Sequence, residues 1–220
     1  DNMIEQDGGA EATCQFCHGL ETTSNNLANS QTTGFKKDDL LSAVYEAKQL
    51  QKTQDGMRHN LGPYQHKVTN SHSVTNFNIG TTVTTNQPLD AYIEESEEGA
   101  VSFFHIANEQ GEFLTRDGSF SVNEDGYLTT RNGDFVLNHQ GQQIQVPTSS
   151  SPIIDGRGWV VDENTNQPLD AIGIRSLNEA QREDLAKAND VRVATQEDIL
   201  EFPEFIGNVY NGVLESSNVD

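Results

Sequence analysis

The chain has 220 residues, with 34 acidic against 13 basic side chains and a net charge of -21. That balance repels a nucleic-acid backbone or an anionic membrane surface, so nucleic-acid binding is set aside as a function class. Hydrophobic residues make up 34%, and no apolar run approaches the ~20 residues that span a bilayer, so we expect no membrane insertion and a modest core with long solvated or partner-facing segments.

Residues 1–9 are polar and contain glycine, and no charged-then-apolar signal peptide opens the chain. Phe16, Leu20 and Leu27, with Cys17 and Ser24 between them, then recur at helical spacing on one face, while Glu21, Asn25 and Asn29 point elsewhere. A stripe this thin on an isolated helix is marginal in water. It predicts a helix built for another chain. Asp38 or Asp39 is a candidate N-cap for a second helix running through Gln51, with Leu40, Leu41, Val44 and Ala47 on one side. From Thr53 to Asn78 the chain is polar, carries Gly56, Gly62 and Pro63, and predicts a loop or hairpin joining the helix to a domain.

The middle has a regularity. Asn108, Asn123 and Asn138 each precede a glycine by three residues (Gly111, Gly126 and Gly141), a turn pattern repeated every 15 residues, and the glycine spacing continues to Gly156. Asn and Gly tolerate the positive φ of hairpin turns. Short β-type runs lie between them at 103–107, 113–115, 120–122, 127–129, 135–137 and 144–146, several with in-out alternation. Gly118 and Gly133, also 15 apart, are expected at the opposite turns. The prediction is an antiparallel β-meander serving as a scaffold.

Residues 85–91 (Thr-Asn-Gln-Pro-Leu-Asp-Ala) recur identically at 165–171, which predicts two equivalent strand entries, the first into 91–93 and the second into 171–174. Asp162, Asn164, Asn166 and Asp170 supply oxygens at alternating positions. The glycine and glutamate of a calcium loop are nevertheless replaced by Gln167 and Gly173, so a polar turn is preferred. Glu94, Glu95, Glu97 and Glu98 predict a solvated acidic loop. Ser176 and Glu179 have capping-box spacing ahead of a short helix carrying Leu177, Ala180, Leu185 and Ala188. Ser216, Ser217 and Asn218 are good N-cap residues for a further helix.

Four collinear motifs carry a resemblance. Asn25-Asn26-Leu27-Ala28-Asn29 is followed by Thr32-Thr33-Gly34-Phe35; then come Pro88-Leu89-Asp90-Ala91 before Phe103-Phe104, Thr115-Arg116-Asp117-Gly118-Ser119-Phe120 before Gly126-Tyr127-Leu128-Thr129 and Gly133-Asp134-Phe135-Val136-Leu137, and finally 212–220. The chain resembles the flagellar basal-body rod and hook proteins. Residues 94–101 are longer and more acidic than that family's pattern, and 150–205 match poorly. The resemblance implies a mainly β fold: an N-terminal segment and assembly helix over 1–37, an extended connector over 38–80 in place of the helix that local propensity suggests there, an antiparallel β domain over 81–207, and a return segment over 208–220 leading to a further C-terminal helix. It implies a structural, self-assembling subunit of the bacterial flagellum that transmits torque. Its partners would be itself, other axial rod and hook subunits and the flagellar export apparatus, and its place the extracytoplasmic basal body, reached without a cleaved signal peptide. Leu20 and Leu27 are expected as packing groups of the assembly surface, Asn25, Asn26 and Asn29 as polar cross-links, and Gly34 with Phe35 as turn and anchor at the helix exit.

Two other readings belong to different classes. Cys14, Cys17 and His18 match the pattern for c-type haem attachment, in which two thiols bond the vinyl groups and the adjacent imidazole ligates iron. Against it, these are the only two cysteines, they overlap the helical stripe, and no obvious apolar pocket follows. The expectation is no cofactor and no metal. A surface-binding β module is the other alternative. His59, His66, His72, His105 and His139 are scattered without a paired nucleophile or carboxylate, and no phosphate loop, nucleophile elbow or dinucleotide fingerprint is present, so the chain is expected not to be an enzyme.

Overall fold

The computed structural model describes the backbone of residues 7–44, 48–54, 57–64, 69–95 and 99–219, and the side chains of 17–41, 73–95 and 99–219. It is mainly β, with antiparallel sheets and one long N-terminal helix. Two compact units divide the chain: the described parts of Asp1–Ala28 and Asp38–Asn76 make the first, and Asn29–Lys37 with Phe77–Asp220 the second.

In the first unit, helix α1 covers Asp7–Ala28. Four strands follow: β1 (Asp38–Val44), β2 (Lys48–Gln54), β3 (Met57–Tyr64) and β4 (Thr69–Thr75). β1 pairs with β4 and β2 with β3, both antiparallel, so two hairpin-like ribbons nest in sequence. The helix predicted from Asp38 through Gln51 is therefore replaced by strands where the backbone is described. Its apolar positions gave a helical period by chance, and Asp38 caps nothing helical: its carboxylate takes the Thr75 hydroxyl at 2.7 Å, across the β1–β4 pair. Cross-strand pairing of this kind overrides weak local propensity.

The second unit is built on β7 (Val101–Asn108), reached through β5 (Thr82–Thr84) and β6 (Ala91–Glu94). β7 pairs antiparallel with β8 (Gly111–Thr115), and the sheet continues from β7 through β11 (Phe135–Val136) and β10 (Leu128–Thr130) to β9 (Phe120–Val122). β12 (Pro152–Ile154), β13 (Trp159–Asp162) and β14 (Gln167–Ala171) form a separate three-stranded sheet, and β15 (Ile174–Leu177) returns to pair with the first half of β7. After α2 (Glu179–Glu183), β16 (Ala186–Lys187) and β17 (Arg192–Ala194) extend the main sheet beyond β8. A 3-10 turn, Ile199–Glu201, leads on to β18 (Asn208–Asn211), which pairs with β6, and β19 (Val213–Glu215), which pairs with β5.

β7 is buried along most of its length because it lies between two cores. Phe104 and Ile106 join Phe120, Leu128, Val136, Ile144, Val160 and Ile174 on one side. Val101 and Phe103 join Leu114, Leu177, Val193 and Phe202 on the other. The period-2 alternation of a strand makes this double use possible. Phe104 meets Phe120 edge-on at 5.0 Å between ring centres, adding aromatic contact to burial.

The turn repeat has a shared device. Gly126, Gly133 and Gly141 all have positive φ, and the Asn123 and Asn138 side chains accept backbone amides two to four residues on, from Tyr127 and from Gln140 and Gln142. The fourth repeat slips: Gly158, not Gly156, has positive φ, and Asp155 replaces Asn as acceptor for Arg157 and Trp159. Gly118 is no left-handed turn residue either. A Cβ there would lie 1.9 Å from the Ala91 carbonyl oxygen, so close strand approach demands it. Residues 144–146 form bridges through Gln143 and Gln145 rather than a strand.

The identical segments at 85–91 and 165–171 share one feature, a left-handed asparagine, Asn86 and Asn166. Their strands differ. The second starts at Gln167 and stops at Ala171, so the expected run through Ile174 is broken at Ile172 and Gly173 before β15. Thr85 donates to Asp90, whereas Thr165 donates to Asp162. Asp162 also accepts the Ser151 and Asn164 amides, so its oxygens are consumed by a polar turn. The predicted capping box lies two residues late: Asn178 caps α2 with Gln181 as reciprocal partner, because Ser176 is already committed to β15.

Candidate functional site: the helix face and the junction of the chain ends

On α1 the half-buried positions are His18, Gly19, Thr22 and Asn26, at helical spacing, while Cys17, Leu20, Ser24, Asn25 and Leu27 are exposed. Leu20 is 54% and Leu27 70% exposed. The polar face is the one turned to the β1–β4 ribbon: Gly19 lies near Leu40, and Asn26 brackets Asp38, donating to its carbonyl at 2.9 Å and accepting its amide at 3.0 Å. Asn26 thereby acts as a substitute strand partner at the start of β1. Of the cysteine-histidine pattern, Cys17 is exposed and His18 lies 4.0 Å from Glu21, whereas the Cys14 side chain lies outside the described residues.

After α1 the chain enters the second unit. The Asn29 carbonyl and side chain take the Thr32 amide and hydroxyl, forming a turn. Gly34 has a φ of 70°, and a Cβ on it would lie 2.4 Å from the Asp117 amide nitrogen. Phe35 is fully buried, with the Lys187 ammonium 4.2 Å from its ring centre. Thr33 donates to Asp117 at 2.9 Å. Burial pushes the Asp117 carboxyl above its usual value, although the Ser119 amide and Thr33 hydroxyl pull the other way.

Next to this turn lies a cluster that sequence reasoning missed. Lys36, Arg116, Glu95 and Glu215 are gathered with side chains at most 8% exposed. Glu215 takes the Lys36 ammonium and the Gly80 amide (3.1 Å) on one oxygen, and the Arg116 guanidinium (Nε at 2.7 Å) on the other. Arg116 also contacts Glu95, which accepts from Ser102 through both amide and hydroxyl at 2.7 Å. Glu95 is therefore a buried partner rather than part of a solvated acidic loop; Glu97 and Glu98 lie outside the described residues. Two cations and two carboxylates balance. Burial alone would raise the Glu215 carboxyl, but Arg116 and Lys36 outweigh it and hold it below the usual glutamate range. Burial pushes the Lys36 ammonium down against the pull of Glu215.

The cluster collects three stretches that are far apart in sequence. The outgoing stretch is held by Gly34 N–H on the Glu215 carbonyl (2.9 Å) and Lys37 N–H on the Asn218 side chain (2.7 Å). The stretch re-entering at 78–81 is held by Lys36 Nζ and Asn218 Nδ2 on the Asn78 carbonyl, and by Ser216 N–H on the Thr81 carbonyl. The returning strand β19 supplies Glu215. Asn218 is thus spent on tying chain segments, and Ser217 Oγ accepts the Val219 amide at 3.3 Å. A charge directly beside a large apolar residue, Phe35-Lys36 and Leu214-Glu215, was the only and weak signal available in the sequence.

His105 is wholly buried in β7 with Nε2 2.9 Å from Glu112, and burial lowers its pKa; it is a strand-to-strand tie. Among the described residues no group of three or more His, Cys, Asp or Glu is placed to hold a metal ion.

The second unit thus pins its entry and return stretches at one buried node, and in the first unit Leu20 and Leu27 stand exposed on a helix. Comparison with known proteins supplies the class. Residues 16–36 match the family described as flagella basal body rod protein, and residues 99–166 the flagellar hook protein FlgE/F/G D1 domain. The flagellar basal-body rod protein FlgF of Caulobacter vibrioides is 30% identical over 203 residues, covering 91% of this chain and 76% of that relative. The chain belongs to the flagellar basal-body rod proteins, structural and non-enzymatic subunits of the flagellar rod that assemble with other axial proteins.

Proposed function

We propose that this chain is inserted into the rod through α1, whose Leu20 and Leu27 pack against neighbouring subunits to form part of a helical tube that transmits torque. The exposure of these two leucines on the helix face turned away from its own ribbon carries the reading. Burying each large side chain contributes roughly 1.5 to 3 kcal/mol, available only in the polymer. Asn25 is a polar contact beside that leucine stripe and Asn26 holds β1, while Asn29, Gly34 and Phe35 shape and anchor the segment that follows α1. Neighbours would be further copies and other rod and hook subunits. Delivery would be by the flagellar export apparatus to the extracytoplasmic basal body. The test is Leu20→Ser with Leu27→Ser in the intact gene. Motility and recovery of hook-basal bodies should be lost while the purified chain keeps its thermal midpoint. Normal swimming in the double variant would defeat the proposal.

A further inference from the structure

The buried charge cluster is assembled from residues that reach one another only when the end of the chain is in place. Lys36 and Glu215 are 179 positions apart, and Arg116 and Glu215 are 99 apart. Glu215 receives four donors, Lys36 Nζ, Gly80 N–H and two guanidinium nitrogens of Arg116, and its own side chain is 1% exposed. Without it, two cations would share one carboxylate, Glu95, in a water-excluded site. Leaving one charge of a buried set uncompensated is far costlier than never having built the set.

From this we infer that Glu215 is a closure latch: the outgoing stretch around Gly34–Lys36 and the re-entering stretch at 78–81 dock on the β domain only once β19 has arrived. The rest of the domain is held by other means: β7–β8, β9–β10 and β10–β11 pair as sequence neighbours, and the two apolar cores, completed by residues as late as Phe202 and Val209, leave Glu215 out. The sheet and its cores can therefore close while the stretch around Gly34–Lys36 stays unlatched. The mechanism concerns the chain alone, so its test is independent of the rod proposal.

Hydrogen exchange on the isolated chain reads it directly. In Glu215→Gln, protection of the Gly34, Gly80 and Ser216 amides should fall on the order of 100-fold or more, while Leu128 and Leu137 in the meander stay close to wild type. Adding Lys36→Met removes the surplus cation, leaving Arg116 against Glu95, and should restore at least about tenfold of the lost protection. Unchanged protection in Glu215→Gln, an equal loss across meander and latch, or no recovery in the double variant would each overturn the inference. A Glu215→Gln chain that does not fold at all counts as an equal loss across meander and latch and overturns the inference too.

Discussion

Two glycines separate conformational from steric demand. Gly34 must adopt a φ of 70° with the Asp117 backbone against it, whereas Gly133, at a φ of 85°, has nothing within 4 Å of where a Cβ would stand. Gly133→Ala should therefore cost only about 1 kcal/mol, from backbone strain. Gly34→Ala must also push apart the entry turn and the Asp117 segment, and should cost on the order of 3 kcal/mol or more. Urea unfolding followed through Trp159 would compare them; equal losses would show that the close approach is not rigid. Glu215 gives a pH prediction at the same scale. Its folded pKa lies below the usual 4.5, so its contribution is fully present above about pH 4.5 and is lost as the pH falls through the folded value. Wild type should lose urea resistance over that acid window, and Glu215→Gln should start lower and show a shallower decline. Gly34 and Gly118 stood out within motifs, but the reason for Gly118, an approaching carbonyl, is a tertiary fact. Lys36 and Glu215 were passed over because isolated charges ordinarily mark solvent, and only a contact across most of the chain turns them inward.

At the scale of elements, what was local was legible. The meander strands, the asparagine-glycine turns and the exposed leucine stripe all follow from periods of two, 15 and 3.6 residues. Errors arose where two periods fitted one segment. Leu40, Leu41 and Val44 satisfy a helix, yet pairing to β4 fixed them in a strand, and Ser176 satisfied a cap until β7 claimed it. Asn26 links helix and ribbon within the first unit, where its two bonds to the Asp38 backbone replace a missing strand neighbour. Asn26→Ala leaves both Asp38 backbone groups without that partner, a local cost of about 1 to 3 kcal/mol. The Asp38 amide should exchange at least tenfold faster while the β domain amides are unaffected. Unaltered exchange at Asp38 would mean that α1 does not hold the ribbon in solution.

For the whole molecule, charge is the feature that no element owns. A net charge of -21 on 220 residues makes the folded chain repel itself, because folding brings carboxylates closer than they stand in an open coil. Salt should relieve this, since the screening length falls from about 30 Å at 0.01 M to about 3 Å at 1 M. The internal cluster is neutral and shielded from ions, so screening should leave it intact. Raising NaCl from about 0.01 to about 1 M at pH 7 should therefore raise the thermal midpoint of the β domain. Near the sequence isoelectric point of about 4.4 the net repulsion is gone, so the same salt step should change the midpoint little. An equal rise at both pH values would assign the effect to salt exclusion from apolar surface instead. A fall at pH 7 would mean that salt is breaking attractive pairs, and that the negative surface is not what limits the stability of this subunit before it reaches its neighbours.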